Sequence, residues 1–561
     1  MLVAGFAATV SPLSVFAGGS VNTLVQARQN AIKGTVVDEA GEPMIGVTIK
    51  VKNSQAAAIT DLDGNFSVNA SDGATIEISY VGYITQTVKA HNGMKVQLTP
   101  DSQVMDEVVV IGYGTVKKRD VTGAVASIKN EDIVIAPTSN AMEALQGKVA
   151  GMDIVKGSGQ IGDEPEILLR GTRSIYGSNE PLFIIDGIPG SYSEVNPSDI
   201  ETIDVLKDAS STAIYGSAGA NGVVIITTKR GQTGKVRVNF DAYYGWSGAP
   251  NYENSMTGDE WVNYHQEAYK YEHGNYAADM ATLFGNQDYL DAYNAGKWID
   301  WVDLVSGNKA TTQKYSLSVT GGTDKTKIYA SAIYSKDKGL LSNEQRDKYA
   351  LRLNVDQEIN KWAKVGFTSN LTYSNHDRGV KNTFTRALTA FPLGDAYDAE
   401  GNIVSEYING QYSPLGDFIP NQYANETRTT YVNATGFLEL TPFKGMSIRS
   451  QISGSTSHAR QGLYWGALCN ANRPTYAGTP HAEKVFNDSW SYTWENVFAY
   501  NTTIAKDHSI GGTFITSWSE SQSEPTTAGG SGQTMDQWLF HRLNAATSQY
   551  IKSEYTQTQK M

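Results

Sequence analysis

Apolar and polar residues alternate with a period of two over most of the chain after residue 235. The alternation is clear in KVRVNFDAYY (235–244) and YALRLNVD (349–356), and it defines about nine strands between residues 235 and 521. Such a pattern places the apolar side chains of each strand on one face of a sheet. A membrane barrel with a wet lumen and a soluble sandwich both show it, so the period alone leaves the two open.

The connections between these strands favour the membrane alternative. Short turn sequences occur at 321–324 and 441–445, whereas long polar and aromatic stretches occupy 250–310, 378–430 and 461–487. Short turns on one side and long loops on the other are typical of an outer-membrane barrel. We therefore expect residues 235–561 to form part of a transmembrane antiparallel β-barrel.

The first part of the chain predicts two smaller domains. Short β-rich runs separated by turn clusters between residues 31 and 99 indicate a β-sandwich. Residues 115–233 mix the two kinds of element: GVVIITTK (222–229) predicts a strand, 199–215 a strand with a short helix, and 140–151 a helix. This segment is therefore expected to be an α/β domain.

Two short segments have a distinctive composition. Residues 1–17 carry no charge and end in Val-Phe-Ala, which suits a signal peptide that is partial because it lacks a basic start. In the linker 100–114, two acids precede four β-branched residues, a poor helix and a good strand. That strand is either an ordinary buried one or a free one that adds to the sheet edge of another protein.

Composition and motifs exclude several kinds of function. The 561 residues hold 45 Lys and Arg against 58 Asp and Glu, a net charge of −13 that argues against a nucleic-acid partner. The eight histidines and the single cysteine, Cys469, show no metal-ligand spacing, so no metal site is expected. No nucleophile elbow or other catalytic pattern is found. We expect no enzyme.

A glycine motif at residues 157–162 has the form G-x-G-x-x-G of a dinucleotide-binding loop. Such a site needs a helix directly after the loop, so that its N-terminus can bind the phosphates. Here Asp163, Glu164 and Pro165 follow, and then another predicted strand. Two acids at that point would repel a pyrophosphate, and no cofactor is expected.

Long ordered runs resemble the SusC/RagA family of TonB-linked outer-membrane transporters. The runs are DEVVVIGYGTVKKRDVTGAV (106–125), LQGKVAGMDIV (145–155), ILLRGTRSIYGSNEPLFIIDGIPG (167–190) and DIETIDVLKDASSTAIYGSAGANGVVIITTKRG (199–231). Residues 31–99 resemble the carboxypeptidase-regulatory-like domain of this family, and residues 297–307 with 315–339 resemble its first barrel hairpins. The resemblance implies a mainly β fold: that sandwich, a plug domain at 115–233, and about nine of 22 barrel strands in an incomplete barrel at 235–561.

The resemblance also implies a function and partners. It implies a receptor of the Gram-negative outer membrane that imports an oligosaccharide or a peptide, here in a truncated form, with sandwich and linker in the periplasm. The partners it implies are TonB with its ExbB/ExbD energy supply, a SusD-like surface lipoprotein and membrane lipid. The linker strand resembles the TonB box, which favours the free-strand alternative, and its residues are Asp106, Glu107, Val108, Val109, Val110 and Ile111.

Aromatic residues in the long loops are candidates for contact with the cargo. Trp298, Tyr464 and Trp465 lie in or beside these loops and could stack on a sugar or a peptide. Packing within the loops or at the membrane interface is the alternative role. A surface adhesin without transport is the rival function, and a secreted hydrolase is disfavoured by the missing catalytic pattern.

Overall fold

The computed structural model describes residues 31–560, except 39–40, 53, 55, 81–82, 84, 100–107, 112–113, 118–124, 135–137, 139, 250–254 and 505–507. The signal peptide predicted at 1–17 and the acids Asp106 and Glu107 therefore lie outside the described residues. The chain divides into two compact units, Met1–Thr122 and Gly123–Met561.

The first unit contains the β-sandwich expected at 31–99. Its described strands are β1 (Ala31–Val37), β2 (Thr48–Val51), β3 (Ala57–Ile59), β4 (Asn65–Asn69), β5 (Thr75–Ser79), β6 (Gln86–Lys89) and β7 (Met94–Gln97). They form two sheets, in the orders β4-β1-β7 and β3-β2-β5-β6. Alternate side chains of β2 and β4 are buried, and together they close one apolar core. The sandwich follows from this alternation, and the prediction is confirmed.

The linker strand is described from Val108 onward. Strand β8 (Val108–Ile111) pairs antiparallel with β9 (Gly114–Lys117), with Val109 opposite Val116. The two strands form a separate two-stranded sheet. An extended conformation is what the run of β-branched residues favours.

The second unit begins with the α/β domain, whose sheet combines residues distant in sequence. Its strands are β10 (Val125–Lys129), β11 (Met152–Val155), β12 (Glu166–Leu169), β13 (Leu182–Ile185), β14 (Ile188–Pro189), β15 (Ile200–Leu206) and β16 (Val223–Thr228). Five of them have the order β10-β15-β16-β13-β14, and β11 and β12 form a hairpin. Strand β16 is almost fully buried, as expected for the centre of a sheet.

The helices of this domain are short. They are α1 (Asn130–Val134) and α2 (Ala209–Thr212), and α2 follows β15 as the sequence predicted. The helix predicted at 140–151 is wrong, because the segment has one 3₁₀ turn at Glu143–Leu145 and then turns. Gly147 has a φ of 75°, a left-handed conformation that ends a helix. The apolar residues of the segment are nevertheless buried in the domain core.

The large sheet makes up the rest of the second unit. Its strands are β17 (Gly234–Ser247), β18 (Ala310–Gly322), β19 (Thr326–Lys338), β20 (Gln345–Asn360), β21 (Ala363–Asp377), β24 (Tyr423–Leu440), β25 (Met446–Trp465), β26 (His481–Ile504), β27 (His508–Ser531), β28 (Ser548–Ser553) and β29 (Thr556–Lys560). The remaining two strands, β22 (Glu406–Ile408) and β23 (Gln411–Tyr412), form a separate small hairpin in the loop after β21. Within the described chain the sheet has 11 antiparallel strands, and β28 and β29 both pair with β27. The nine long strands from β17 to β27 match the predicted number.

The strands are joined tightly at one end of the sheet and by long loops at the other. Turns of a few residues join β18 to β19 and β24 to β25, whereas loops of many residues follow β17, β21 and β25. The loops contain helices α3 (Gly258–His273), α4 (Met280–Phe284), α5 (Gln287–Asn294), α6 (Trp301–Ser306), α7 (Thr383–Thr389) and α8 (Arg473–Tyr476). Among the residues that the structure describes, no helix combines the length and the hydropathy needed to cross a bilayer.

The two faces of the large sheet differ as the period of two predicts. In β20, Tyr349, Leu351 and Leu353 are exposed on the outer face, whereas Arg352 and Asn354 are buried on the inner face against the α/β domain. The outer face also carries a row of tyrosines across four neighbouring strands, with ring centroids 4.9 to 6.3 Å apart. The row consists of Tyr315, Tyr334, Tyr349 and Tyr373.

The sandwich core gives a test of the first unit. Ile49 is fully buried, so Ile49→Ala should lower the free energy of unfolding of β1–β7 by about 2–5 kcal/mol. Ile59→Ala is the matched control, because this isoleucine is 67% exposed and its truncation should change stability by less than about 0.5 kcal/mol. Hydrogen exchange of the backbone amides in these strands measures both. Equal effects would contradict the assigned core.

Candidate functional site

A cavity of about 470 Å³ lies between the α/β domain and the inner face of the large sheet. The domain contributes its floor and strands β19, β20, β21 and β24 contribute its wall. The charged residues of the floor are Glu143, Lys156, Asp163, Glu164 and Glu194. The charged residues of the wall are Asp337, Lys338, Arg346, Lys348 and Arg378. The floor is thus mainly acidic and the wall mainly basic.

Next to this cavity, a buried arginine holds the α/β domain to the sheet. Arg352 lies on the inner face of β20, and its Nη1 is 3.7 Å from Oδ2 of Asp186. Its Nε is 3.6 Å from Oδ2 of Asp199, and both carboxylates belong to the α/β domain. The exposed fraction of the three side chains is 4%, 8% and 2%. Because a buried charge is stable only when it is compensated, these residues depend on one another.

Neighbouring polar groups donate further hydrogen bonds to the two carboxylates. The Tyr329 hydroxyl donates to Asp199 Oδ1 at 2.9 Å, and the Thr228 backbone N–H and hydroxyl donate to Asp186 at 2.9 and 2.7 Å. Asp186 has a φ of 51°, and the next residue is Gly187 at 94°. This left-handed turn after β13 is favoured by Asp and Gly and directs the carboxylate toward β16. We call Arg352, Asp186, Asp199, Tyr329 and Thr228 the polar seat.

The glycine motif at 157–162 forms a second connection to the sheet. Gln160 Nε2 donates to the Gly379 carbonyl at 2.8 Å, and the Ile161 backbone N–H donates to Glu344 Oε1 at 2.8 Å. Glu344 lies in the turn between β19 and β20, and burial raises the pKa of its carboxyl group. Gly162 has a φ of 72°, and a Cβ there would lie 2.8 Å from the Arg346 guanidinium. The motif is a contact loop followed by strand β12.

The predicted cargo residues lie at the loop end of the sheet, apart from the cavity lining. Trp298 is half-buried and lies 6.1 Å from Trp261 between ring centroids. Trp465 is half-buried and packs on Tyr476. Tyr464 is fully buried, and its hydroxyl donates to Asp536. A ligand could reach Tyr464 only if the surrounding loops moved, so its role stays a prediction.

A histidine lies within hydrogen-bond distance of both a serine and a glutamate at the loop end of the sheet, which we call the rim. The spacing of these residues in the sequence did not indicate that they meet. Ser531 Oγ is 2.7 Å from His481 Nδ1, and His481 Nε2 is 3.0 Å from Glu483 Oε1. The imidazole is 3% exposed and is covered by the stacked ring of Tyr476, 4.0 Å away. Tyr550 also donates to Glu483. The closed packing makes this group a structural link between β26, β27 and β28.

Two further chemistries receive no support from the described residues. No group of three or more His, Cys, Asp or Glu side chains is placed to hold a metal ion in this part of the chain. Cys469 is fully buried, with its thiol donating to Asp417 Oδ1 at 3.0 Å. Burial and the adjacent carboxylate raise the pKa of the Cys469 thiol, which therefore stays protonated and unreactive.

Comparison with known proteins assigns both domains of the first half. Residues 117–223 match the TonB-dependent receptor plug domain, and residues 32–110 match the CarboxypepD_reg-like domain. The TonB-dependent receptor SusC of Bacteroides thetaiotaomicron is 36% identical over 354 residues, which are 61% of this chain and 34% of SusC. The TonB-dependent receptor P26 of Formosa agariphila is 31% identical over 541 residues, 94% of this chain and 53% of that receptor.

A solved structure agrees with these sequence matches. The RagAB peptide importer in its open-open state superposes with a TM-score of 0.67 at 27% identity, over 80% of this chain and 53% of that one. The chain belongs to the SusC/RagA type of TonB-dependent receptors. The α/β domain corresponds to the plug of these receptors, and we call it the plug from here on. The chain spans about half the length of P26 and about a third of SusC.

The polar seat of this receptor gives a test of the plug's attachment. Arg352→Leu leaves Asp199 buried without its arginine partner and leaves Asp186 with Arg230 alone, 3.9 Å away, which should destabilise the seated plug by about 3–5 kcal/mol. Hydrogen exchange of the β13 and β16 amides measures the loss.

Arg428→Leu is the control for this substitution. Arg428 lies 3.7 Å from Glu426 in an ion pair whose side chains are 47% and 31% exposed, so its loss should cost less than about 1 kcal/mol. If the two variants lowered protection in β13 and β16 equally, the polar seat would not be what holds the plug.

Proposed function

We propose that this protein acts as a TonB-dependent nutrient importer of the outer membrane, as a receptor and not as an enzyme. The observation that carries the proposal is a plug held by buried charges on the polar inner face of a sheet whose outer face is apolar. Cargo would bind in the cavity between plug and wall. A pull on the linker strand would then shift the plug and open a path.

The outer face supports a position in the membrane. Tyr349 and Ile359 are both exposed on β20 and lie ten positions apart. Ten residues span about 33 Å along a strand, or about 25 Å across a bilayer if the strand tilts by ~40°, which is the usual height of the apolar band. The tyrosine row would mark one border of this band, since aromatic residues collect at membrane interfaces.

The chemistry of the plug surface supports a movable plug. The plug and the wall are joined by several hydrogen bonds and ion pairs, for example Lys348 Nζ to the Ser193 carbonyl at 2.9 Å and Asn370 Nδ2 to the Glu194 carbonyl at 2.9 Å. Polar groups that separate can exchange these partners for water, whereas an apolar contact would expose hydrophobic surface. The plug's own apolar core would remain closed while its polar contacts to the wall change.

The linker strand would be the site where TonB binds. We propose that residues 106–111 form the TonB box, and that TonB, supplied with energy by ExbB and ExbD, adds a strand to this segment. In the structure, β8 pairs with β9, so TonB would either use the other edge of β8 or replace β9. This arrangement would put the sandwich and the box in the periplasm.

The remaining assignments concern the outer side. A SusD-like lipoprotein is the proposed partner there, and an oligosaccharide or a peptide is the proposed cargo. RagAB is named a peptide importer, which supports the peptide alternative. The half-buried rings of Trp298 and Trp465 are proposed to contact cargo at the rim. The buried Tyr464 would stabilise the rim by its hydrogen bond to Asp536.

The TonB box gives the test of this function. Val109→Pro removes a backbone donor that a strand partner needs, so energised uptake should fall to the level of a strain without TonB, while cargo binding is unchanged. Val109→Ala keeps the donor and serves as control, with uptake close to the unmodified level. Uptake by whole cells and binding to isolated membranes are measured in parallel.

Two results would count against the proposal. Unchanged uptake by the Val109→Pro variant would show that residues 106–111 are not the TonB box. Recovery of residues 235–561 as a freely soluble protein without detergent would favour the rival function, a surface adhesin without transport.

A further inference from the structure

The cavity floor contains a carboxylate without a partner. Glu194 is the last residue of the 3₁₀ turn Tyr192–Glu194, and it borders both the large cavity and an adjoining cavity of about 270 Å³. Within the described chain, its carboxylate forms no hydrogen bond and no ion pair, although most of the side chain is buried. Burial raises the pKa of Glu194, and the nearby Glu164 adds to this effect. A charge so placed lacks the compensation that buried carboxylates normally have.

The backbone around Glu194 is fixed from the wall. Lys348 donates to the carbonyl of Ser193 at 2.9 Å, and Asn370 donates to the carbonyl of Glu194 itself at 2.9 Å. Lys348 therefore lies close to Glu194 and offsets part of the rise in its pKa that burial causes, but no ion pair joins the two side chains in the part of the chain that the structure describes. The carboxylate is thus held in position at the junction of two cavities while its own bonding capacity is unused.

The cavity lining offers few ring faces on which a neutral sugar could stack. Its described aromatic residues are Tyr192 and Tyr431, and Tyr192 is 5% exposed because its ring packs on Phe183 with centroids 4.6 Å apart. A flat ring face on which a sugar could stack is therefore not offered by Tyr192. Several charges of the lining already pair with one another: Glu143 with Lys156, Asp163 with Arg378, and Arg346 with Asp337. Glu194 on the floor and Lys348 on the wall have no such ion pair among the described residues, and together they match a ligand with a positive end and a negative end.

We propose that Glu194 is a specificity-determining residue that accepts the free α-amino group of a short peptide cargo. The inference rests on the proposed function, because it assumes that cargo occupies this cavity. The ammonium group would supply the missing partner of the carboxylate in a charge-assisted hydrogen bond. The peptide's carboxylate would face the basic wall at Lys348, beside the ion pair of Arg346 and Asp337.

The test compares peptides with free and blocked amino termini. The purified chain in detergent is equilibrated with a pool of tetrapeptides lacking Lys and Arg, with the same pool N-acetylated, and with maltotetraose, and the retained ligand is measured by mass spectrometry. We expect the free pool to be retained about tenfold better than the acetylated pool, the usual effect of one hydrogen bond to a charged group.

Substitutions assign this preference to Glu194. Glu194→Gln keeps the size and removes the charge, so the preference should fall to within about twofold while retention of the acetylated pool is unchanged, which also shows that the variant is folded. Glu131→Gln changes an exposed plug glutamate in α1 and should keep the full preference. Equal retention of both pools, an unchanged preference in Glu194→Gln, or retention of maltotetraose alone would each overturn the inference.

The inference and the proposed function can fail separately. Uptake of maltotetraose that Val109→Pro abolishes would keep the importer and overturn the role of Glu194. Peptide retention that depends on Glu194, together with uptake that Val109→Pro leaves unchanged, would keep the binding site and overturn TonB-driven import.

Discussion

The burial of Arg352 between two carboxylates is the constraint on which the second unit depends. A guanidinium with 4% of its side chain exposed needs opposite charge, and both partners, Asp186 and Asp199, come from the plug. Lipid therefore cannot satisfy the inner face of β20, and a plug that leaves this position must exchange its ion pairs with Arg352 for water. The outer face of the same strand is apolar, so one strand meets two different environments.

This constraint links the fold to the proposed mechanism. The plug has an apolar core of its own, built on β13, β15 and β16, and hydrogen bonds and ion pairs join it to the wall. Such a domain can stay folded while its hydrogen bonds and ion pairs to the wall are replaced by contacts with water. Gated passage requires this, because the plug must move without unfolding. The cavity lies beside the seat and shares the same strands, so a ligand in the cavity and the charges of the seat act on the same surface of the plug.

Much of this architecture could be predicted from the sequence, because alternation and turn residues are local signals. The period of two placed Tyr349 and Arg352 on opposite faces, and turn clusters marked the sandwich. The helix predicted at 140–151 failed because its apolar spacing outweighed Gly147, whose left-handed conformation ends the run. The polar seat could not be predicted, because its contacts between plug and wall join residues more than 120 positions apart in the sequence. The carboxylate of Glu194 could not be predicted either, because whether it has a partner depends on how the plug packs against the wall.

The most direct test of the account is a lipid-accessibility scan of β20. With Cys469 replaced by Ala, single cysteines at Leu351, Leu353, Ala350 and Asn354 are labelled with a fluorophore in bilayers that contain brominated lipid. We expect strong quenching at 351 and 353 and little at 350 and 354, because only the first pair lies on the outer face. Equal quenching at all four positions, or at none, would contradict a sheet that separates lipid from a polar, plug-bearing interior.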